Sequence, residues 1–375
     1  MAPRAFGRCS IRSVLVMAGL FYAGATAQAA PVAERVLQEA AIQVLRPTGT
    51  FLTAIARAGD RLVAGGAHGV IIYSTDDGLN WRQATVPVSA TITAIRFATP
   101  EIGWAVGHFG VVLRTDDGGA TWRKQLDGLE AAKILEHQAA ALQADPKADP
   151  AAAARQVHEA ADMVADGPDK PFLLLDVRDA SNVLIFGAFN LAFETTDGGA
   201  TWRSWSERIE NPQGNHGYGL VTRGDELLVA GEAGLLLKGS ASARRLQRLE
   251  APYKGSFFGA LDGAGAGILA YGLLGHIYRT RDDGQTWGKI DDPIDATVNA
   301  AIRLGGGGIL FGDMGGNLLA LAPGADGVRP LTLHAEMPIA DLIETSRGSL
   351  ILVGPGGVRR IEASELDRAL RQMEG

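Results

Sequence analysis

The motif Ser/Thr-x-Asp-x-Gly-x-x-Trp is written four times along the chain, at residues 74–81, 115–122, 195–202 and 280–287. Its acid falls at Asp76, Asp117, Asp197 and Asp282, its glycine at positions 78, 119, 199 and 284, and its indole at Trp81, Trp122, Trp202 and Trp287. An Asp that bonds back to turn amides, a Gly that supplies positive φ and a Trp that opens the next apolar run describe a tight turn between antiparallel strands. A second signal is more widespread. Gly-x-x-Gly separates two apolar runs at Gly66/Gly69, Gly107/Gly110, Gly231/Gly234, Gly272/Gly275, Gly312/Gly315 and Gly354/Gly357, and Gly187/Asn190 is a seventh, variant copy. First-glycine spacings of 41, 80, 44, 41, 40 and 42 define a module of about forty residues with one extra module length in the second gap. Four short strands per module predict an all-β fold, a seven-bladed β-propeller.

The eight-residue motif is the Asp-box, or bacterial neuraminidase repeat, and it reads here as a structural staple between the third and fourth strands of a blade. In blade one the strands are expected at residues 53–58, 61–65, 70–74 and 81–84. Blades four, six and seven lack the full box. The extra length between blades two and three, residues 131–169, is rich in Ala, Glu, Gln and Asp. That composition predicts a helical hairpin, with helices over 129–143 and 149–166 separated by Asp145-Pro146-Lys147-Ala148. Its apolar positions are few (Leu129, Ile134, Leu135 and Leu142, then Val157, Met163 and Val164), so it must lean on the ring or on another protein. After Val358-Arg359-Arg360-Ile361 the chain reads as a capped helix rather than an outer strand. The alternating segment Ile42-Gln43-Val44-Leu45 is therefore expected to complete blade seven and close the ring.

The domain organisation follows: a signal peptide at 1–29, the propeller at 30–364 with its insert at 131–169, and a C-terminal helix at 365–375. Arg4, Arg8 and Arg12 form a positive start, an apolar run too short to span a bilayer follows, and Ala27-Gln28-Ala29 offers a small-x-small cleavage site. Cleavage removes the single cysteine, Cys9, so a periplasmic or secreted protein without disulfide or thiol chemistry is expected. The 35 basic and 42 acidic residues give a net charge of −7, against a nucleic-acid partner, which requires a basic stripe. The acidic balance also disfavours direct adhesion to anionic lipid, and no direct membrane insertion is expected after cleavage. The 49 glycines are about twice the usual ~7% and serve turns.

Topology assigns the insert a side. It follows an outer strand, so it emerges on the face that carries the Gly-x-x-Gly turns, and the boxes lie on the opposite face. The turn face gathers His68, His108, Phe109, Phe189 and Glu232, together with Asn211, His216 and Tyr218 from one connection and Tyr253, Lys254, Phe257 and Phe258 from the next. Aromatic and histidine side chains on Gly-rich loops are candidate recognition residues. The bland alternative is that the phenylalanines plug the channel or pack between blades. His68 and His108 read as equivalent turn positions in neighbouring blades, and two histidines without a third ligand make no metal site. No metal or other cofactor is expected.

The boxes, turns and insert together resemble the propeller family named for a photosystem II stability and assembly factor, over roughly residues 50–360. More narrowly, Gly103-Trp104-Ala105-Val106-Gly107-His108, Asn211-Pro212 with His216 and Tyr218, and Pro252-Tyr253 with Ser256-Phe257-Phe258 look like a proteobacterial branch carrying this insert. Members of that branch accompany exporters of the resistance-nodulation-division class. The resemblance implies a non-enzymatic accessory factor of an envelope membrane complex, such an exporter being the expected partner, and a monomer is expected. An exported glycan- or lipid-binding propeller is the alternative. A sialidase-like hydrolase ranks below both. It would need an arginine cluster, a Tyr activated by Glu and an Asp acid. Arg57, Arg178 and Arg303 lie at strand exits on the box side, the opening Phe/Tyr-Arg-Ile-Pro segment is absent, and Glu232 with Asp313 is the one carboxylate pair to weigh.

Overall fold

The computed structural model describes residues 32–290, 293 and 295–374. The expected signal segment, with Cys9 and its cleavage region, lies outside these residues. Within them seven antiparallel sheets follow one another, six of four strands and one of three. The inner strands are Leu52–Ala58, Ile92–Phe97, Phe172–Val177, Gly217–Arg223, Phe257–Asp262, Val298–Arg303 and Asp341–Glu344. Second strands such as Gly103–Gly107, Val183–Gly187 and Leu350–Gly354 are buried along their whole length. A strand covered on both faces by neighbouring blades reads as an unbroken apolar run. Between blades two and three, Trp104, Phe172 and Phe193 are fully buried, and the two phenyl rings meet edge to face at 5.7 Å.

The first glycine of each turn is fixed by sterics. A Cβ at Gly66 would lie 2.0 Å from the Phe51 carbonyl oxygen, and one at Gly231 2.0 Å from that of His216. Those carbonyls accept the next amide, Ala67 N–H at 2.9 Å and Glu232 N–H at 2.8 Å, which ties the turn to the start of the inner strand. In five of the seven turns the third residue is left-handed without being glycine: φ is 56° at His68, 59° at Phe109, 54° at Phe189, 49° at Ala233 and 57° at Leu274.

On the opposite face the four box turns share one bonding scheme. In the second, Thr115 Oγ1 donates to Asp117 Oδ1 at 2.8 Å and accepts from Gly119 N–H at 2.9 Å, and Asp117 accepts Thr121 N–H and Oγ1–H. The carboxyls of Asp76, Asp197 and Asp282 are held down at about 2, chiefly by side-chain hydrogen bonds from Asn80, Thr201 and Thr286 respectively. Trp81 and Trp122 donate to the Gly78 and Gly119 carbonyls at 3.0 Å, closing the turn beneath.

Among the described residues, arginines on the same face clasp every blade junction except that between blades six and seven. Arg61 reaches the carbonyls of Asp117 and Gly118, Arg114 that of Gly198, Arg279 that of Ala325 and Arg360 that of Asp77, all within 2.7–3.1 Å. Arg178 pairs with Asp225 and Arg223 with Asp283, each at 3.2 Å. Arg61 and Arg114 also lie over the rings of Tyr73 and Trp104. Each guanidinium spends its fixed fork of donors across a blade boundary.

Among the described residues four α-helices decorate the ring: α1 (Val32–Gln38), α2 (Gly128–Ala144), α3 (Pro150–Asp166) and α4 (Ala363–Glu374). Asp127 caps α2, its carboxylate accepting the N–H groups of Leu129 and Glu130. Leu135, Ala139, Ala160 and Met163 are buried with Trp104 and Phe193, so the hairpin is part of the core between blades two and three. Leu129, Val157 and Val164 remain exposed. α4 lies against the outer strand of blade six, Arg329 donating to the Met373 carbonyl and Thr332 to Gln372.

Blade seven corrects one expectation. It has three strands, and residues 42–45 form none. Leu37 and Ala41 are buried with Val86 and Val88 at blade one, and Ser89 N–H donates to the Val36 carbonyl, so the chain is carried around the outside of that blade. Residues 42–45 then lie beside Gln83, whose side chain donates to the Ile42 carbonyl and accepts Val44 N–H, while Leu45 is fully exposed. The ring is closed by side chains instead. Asp341 accepts Ile55 N–H at 2.9 Å, Arg57 donates to the Glu344 carbonyl, and Arg360 pairs with the buried carboxylate of Asp77 at 3.1 Å.

Candidate functional site

The turn face carries a row of rings across blades three to five. Phe189, at its left-handed apex, is 59% exposed and meets His216 edge-on at 4.8 Å. His216 meets Tyr218 at 6.1 Å, and Tyr218 meets Phe258 at 5.5 Å where both line the mouth of the axial channel. Tyr218 Oη is 3.3 Å from His216 Nδ1. Glu232 accepts His216 N–H at 3.1 Å, and its carboxylate is 3.9 Å from Nδ1. Lys170 Nζ stands 5.6 Å from the centre of the Phe189 ring. This lysine was not legible as a site residue, because it sits where the insert rejoins the ring.

The connection beneath the row is built to hold it still. Asn211 is buried, donates to the Asn215 carbonyl and to Asn190 Oδ1, and accepts Asn215 N–H. Asn190 stands where other blades have the second glycine and adopts the same left-handed backbone, φ 66°. Asn211 thus positions the row rather than contacting a partner.

The other expected residues fall elsewhere. Phe257 is fully buried at the start of its strand and belongs to the core between blades four and five, so it is unavailable for recognition. Tyr253 packs on His276 at 4.7 Å and on Phe257 at 6.0 Å, forming a second, half-buried cluster, and Lys254 beside it is exposed. Phe109 is half-buried against the core of blades one and two. His68 and His108 are exposed, but they are not equivalent: His68 occupies the left-handed apex, whereas His108 precedes the apex residue Phe109. Among the described residues no group of three His, Cys, Asp or Glu side chains could hold a metal ion.

The features a sialidase would need are spent on structure. Arg57 and Arg178 are blade clasps. Asp313 is fully buried and accepts Asn317 N–H at 2.7 Å and its amide at 2.9 Å, so it is a turn staple rather than an acid facing Glu232. Burial and the Glu232 charge push the Tyr218 hydroxyl upward, opposite to the shift an activated nucleophile requires.

Blade count, turns and topology define the molecule as a seven-bladed β-propeller. The family model described as photosynthesis system II assembly factor YCF48 matches residues 73–144 and 159–368, and the chain belongs to this family. The unmatched residues between the two segments, 145–158, are the hairpin loop and the first half of α3. The chain is 44% identical over 45 residues to the chloroplast photosystem II stability/assembly factor HCF136 of Guillardia theta, covering 12% of this chain and 11% of that protein. It is 34% identical over 76 residues to HCF136 of Cyanidioschyzon merolae, covering 20% and 16% respectively. The solved structure of YCF48 bound to D1 peptide superposes with a TM-score of 0.61 at 14% identity, covering 88% of this chain and 96% of that one. At that identity the superposition shows the fold.

Proposed function

We propose that the protein is an exported, non-enzymatic accessory factor that docks a membrane-protein complex of the cell envelope through its turn face, the complex being an exporter of the resistance-nodulation-division class. The observation that carries this reading is the row Phe189, His216, Tyr218 and Phe258, held by a rigid ring and open to solvent at Phe189. A preordered aromatic row binds with little loop-ordering cost, and rings of this kind supply most of the affinity in protein interfaces. Family membership supports an assembly role, and the YCF48 structure solved with a D1 peptide supports capture of a membrane-protein segment. The signal-like residues 1–29 support export, and the motif resemblance around residues 103–108, 211–218 and 252–258 supports the exporter.

The test is crosslinking and affinity capture from intact envelopes with wild type and Phe189→Gly. Glycine suits the left-handed apex, so the variant should fold at least as well as wild type. Capture of an exporter by wild type and its loss in the variant is the expected outcome. Equal capture by both would overturn the assignment of the face, and capture of no transporter would overturn the partner.

A further inference from the structure

The axial channel encloses ≈490 Å³ between the inner strands, within the range of small-molecule sites. Four charged side chains line it: Arg96, Asp176, Asp262 and Asp341. Two of them are spoken for. Asp176 pairs with Arg178 at 3.0 Å and accepts from Thr222, and Asp262 pairs with Arg223. Arg96 and Asp341 are left. Among the described residues Arg96 forms no ion pair, and its one hydrogen bond runs from Nη1 to the Ile95 carbonyl at 2.8 Å. Asp341 accepts backbone N–H groups alone, Ile55 on one oxygen and Leu342 on the other, each at 2.9 Å. A carboxylate has about four acceptor positions and a guanidinium five donors, so both groups keep unused capacity.

The two face a common space. Arg96 enters from blade two, opposite Trp104, and Asp341 from blade seven, opposite Val353. Relative to the turn glycines Gly107 and Gly354 they are offset by two strand residues, roughly 7 Å along the axis. Tyr271 arrives from blade five through a gap that a side chain at Gly259 would close, since a Cβ there would lie 2.3 Å from its Oη. Charge interactions link Asp341 and Tyr271 to Arg96 although the three come from different sides of the ring. Burial raises the Asp341 carboxyl, and Arg96 is near enough to oppose that shift without reaching ion-pair distance.

We propose that the channel binds a small zwitterion of the α-amino acid class, its carboxylate on Arg96 and its ammonium on Asp341. The guanidinium fork matches a carboxylate with two parallel bonds. A simple anion would set its charge against Asp341 and a simple cation against Arg96, so the pair selects a ligand carrying both. Such a ligand answers both groups at once, taking the donors that exposed Arg96 presents to the channel and the acceptor positions that Asp341 keeps beyond its two amides.

The experiment titrates each of the protein-forming L-α-amino acids into the purified protein by calorimetry, then the methyl ester and the decarboxylated amine of any binder, and repeats the binder on Arg96→Gln. At least one amino acid should bind saturably, its ester and amine should not, and Arg96→Gln should weaken binding by at least about tenfold. The proposal is overturned if no amino acid binds, if the ester or amine binds as well as the parent, or if Arg96→Gln binds undiminished. The ester and amine comparisons use wild-type protein, so they decide the matter even where the variant does not fold. Envelope capture is not involved, so failure here leaves the docking reading standing.

Discussion

At the scale of single residues the box acids show how a turn is made rigid from side-chain bonds alone. Asp197 accepts Thr195 Oγ1–H, Thr201 N–H and Thr201 Oγ1–H, and nothing in this arrangement faces the turn surface where recognition is proposed. Asp197→Ala should therefore lower the melting temperature by a few degrees and leave envelope capture unchanged, which calorimetry alongside the capture assay would check. Acid makes a second test. The carboxyls of Asp76, Asp197 and Asp282 sit at about 2 in the folded state, against about 3.9 in an unfolded chain. A depressed folded value contributes stability that is complete above about pH 4 and is lost as pH falls toward about 2. Denaturant midpoints across that window should fall steeply in wild type and less steeply in the triple Asp→Asn variant.

At the scale of elements the hairpin is a structural partner before it is anything else. Leu135 and Met163 are buried on the Trp104 and Phe193 cluster, so Leu135→Ala should destabilise the protein by about 2–4 kcal/mol, read from denaturant unfolding. Much of this level was legible in the sequence. In six of the seven modules the first glycine recurs because a carbonyl packs where a Cβ would stand, whereas in blade six Asp313 takes the pairing position and Gly312 meets the Ile339 side chain. The hairpin helices followed from composition. What composition could not show was which side chains reach the ring: Leu129 and Val157 read as apolar contacts and are exposed, because α2 and α3 turn their alanines inward instead. Phe257 and Phe258 are adjacent in sequence, and only strand register sends one to the core and the other to the channel mouth.

For the whole molecule the decisive contacts are those that make an arc into a ring. Residues 42–45 have the alternation of a closing strand, yet closure falls to side chains, Arg57, Asp341 and Arg360 together with Ile351 and Val353 packed on Leu52, Ile55 and Ile72, because docking of Leu37 and Ala41 commits the preceding chain to blade one. Arg360→Met would leave the Asp77 carboxylate buried without its cation and should cost about 3 kcal/mol, with hydrogen exchange rising first in blades one and seven. The clasps between other blades join neighbours in sequence, whereas Arg360 meets Asp77 across 283 residues. Six blades can therefore pair strand by strand as the chain emerges, each against one already formed. The last contact must wait for blade seven, so an arc with two raw edges persists until the chain has travelled the 283 residues from Asp77 to Arg360.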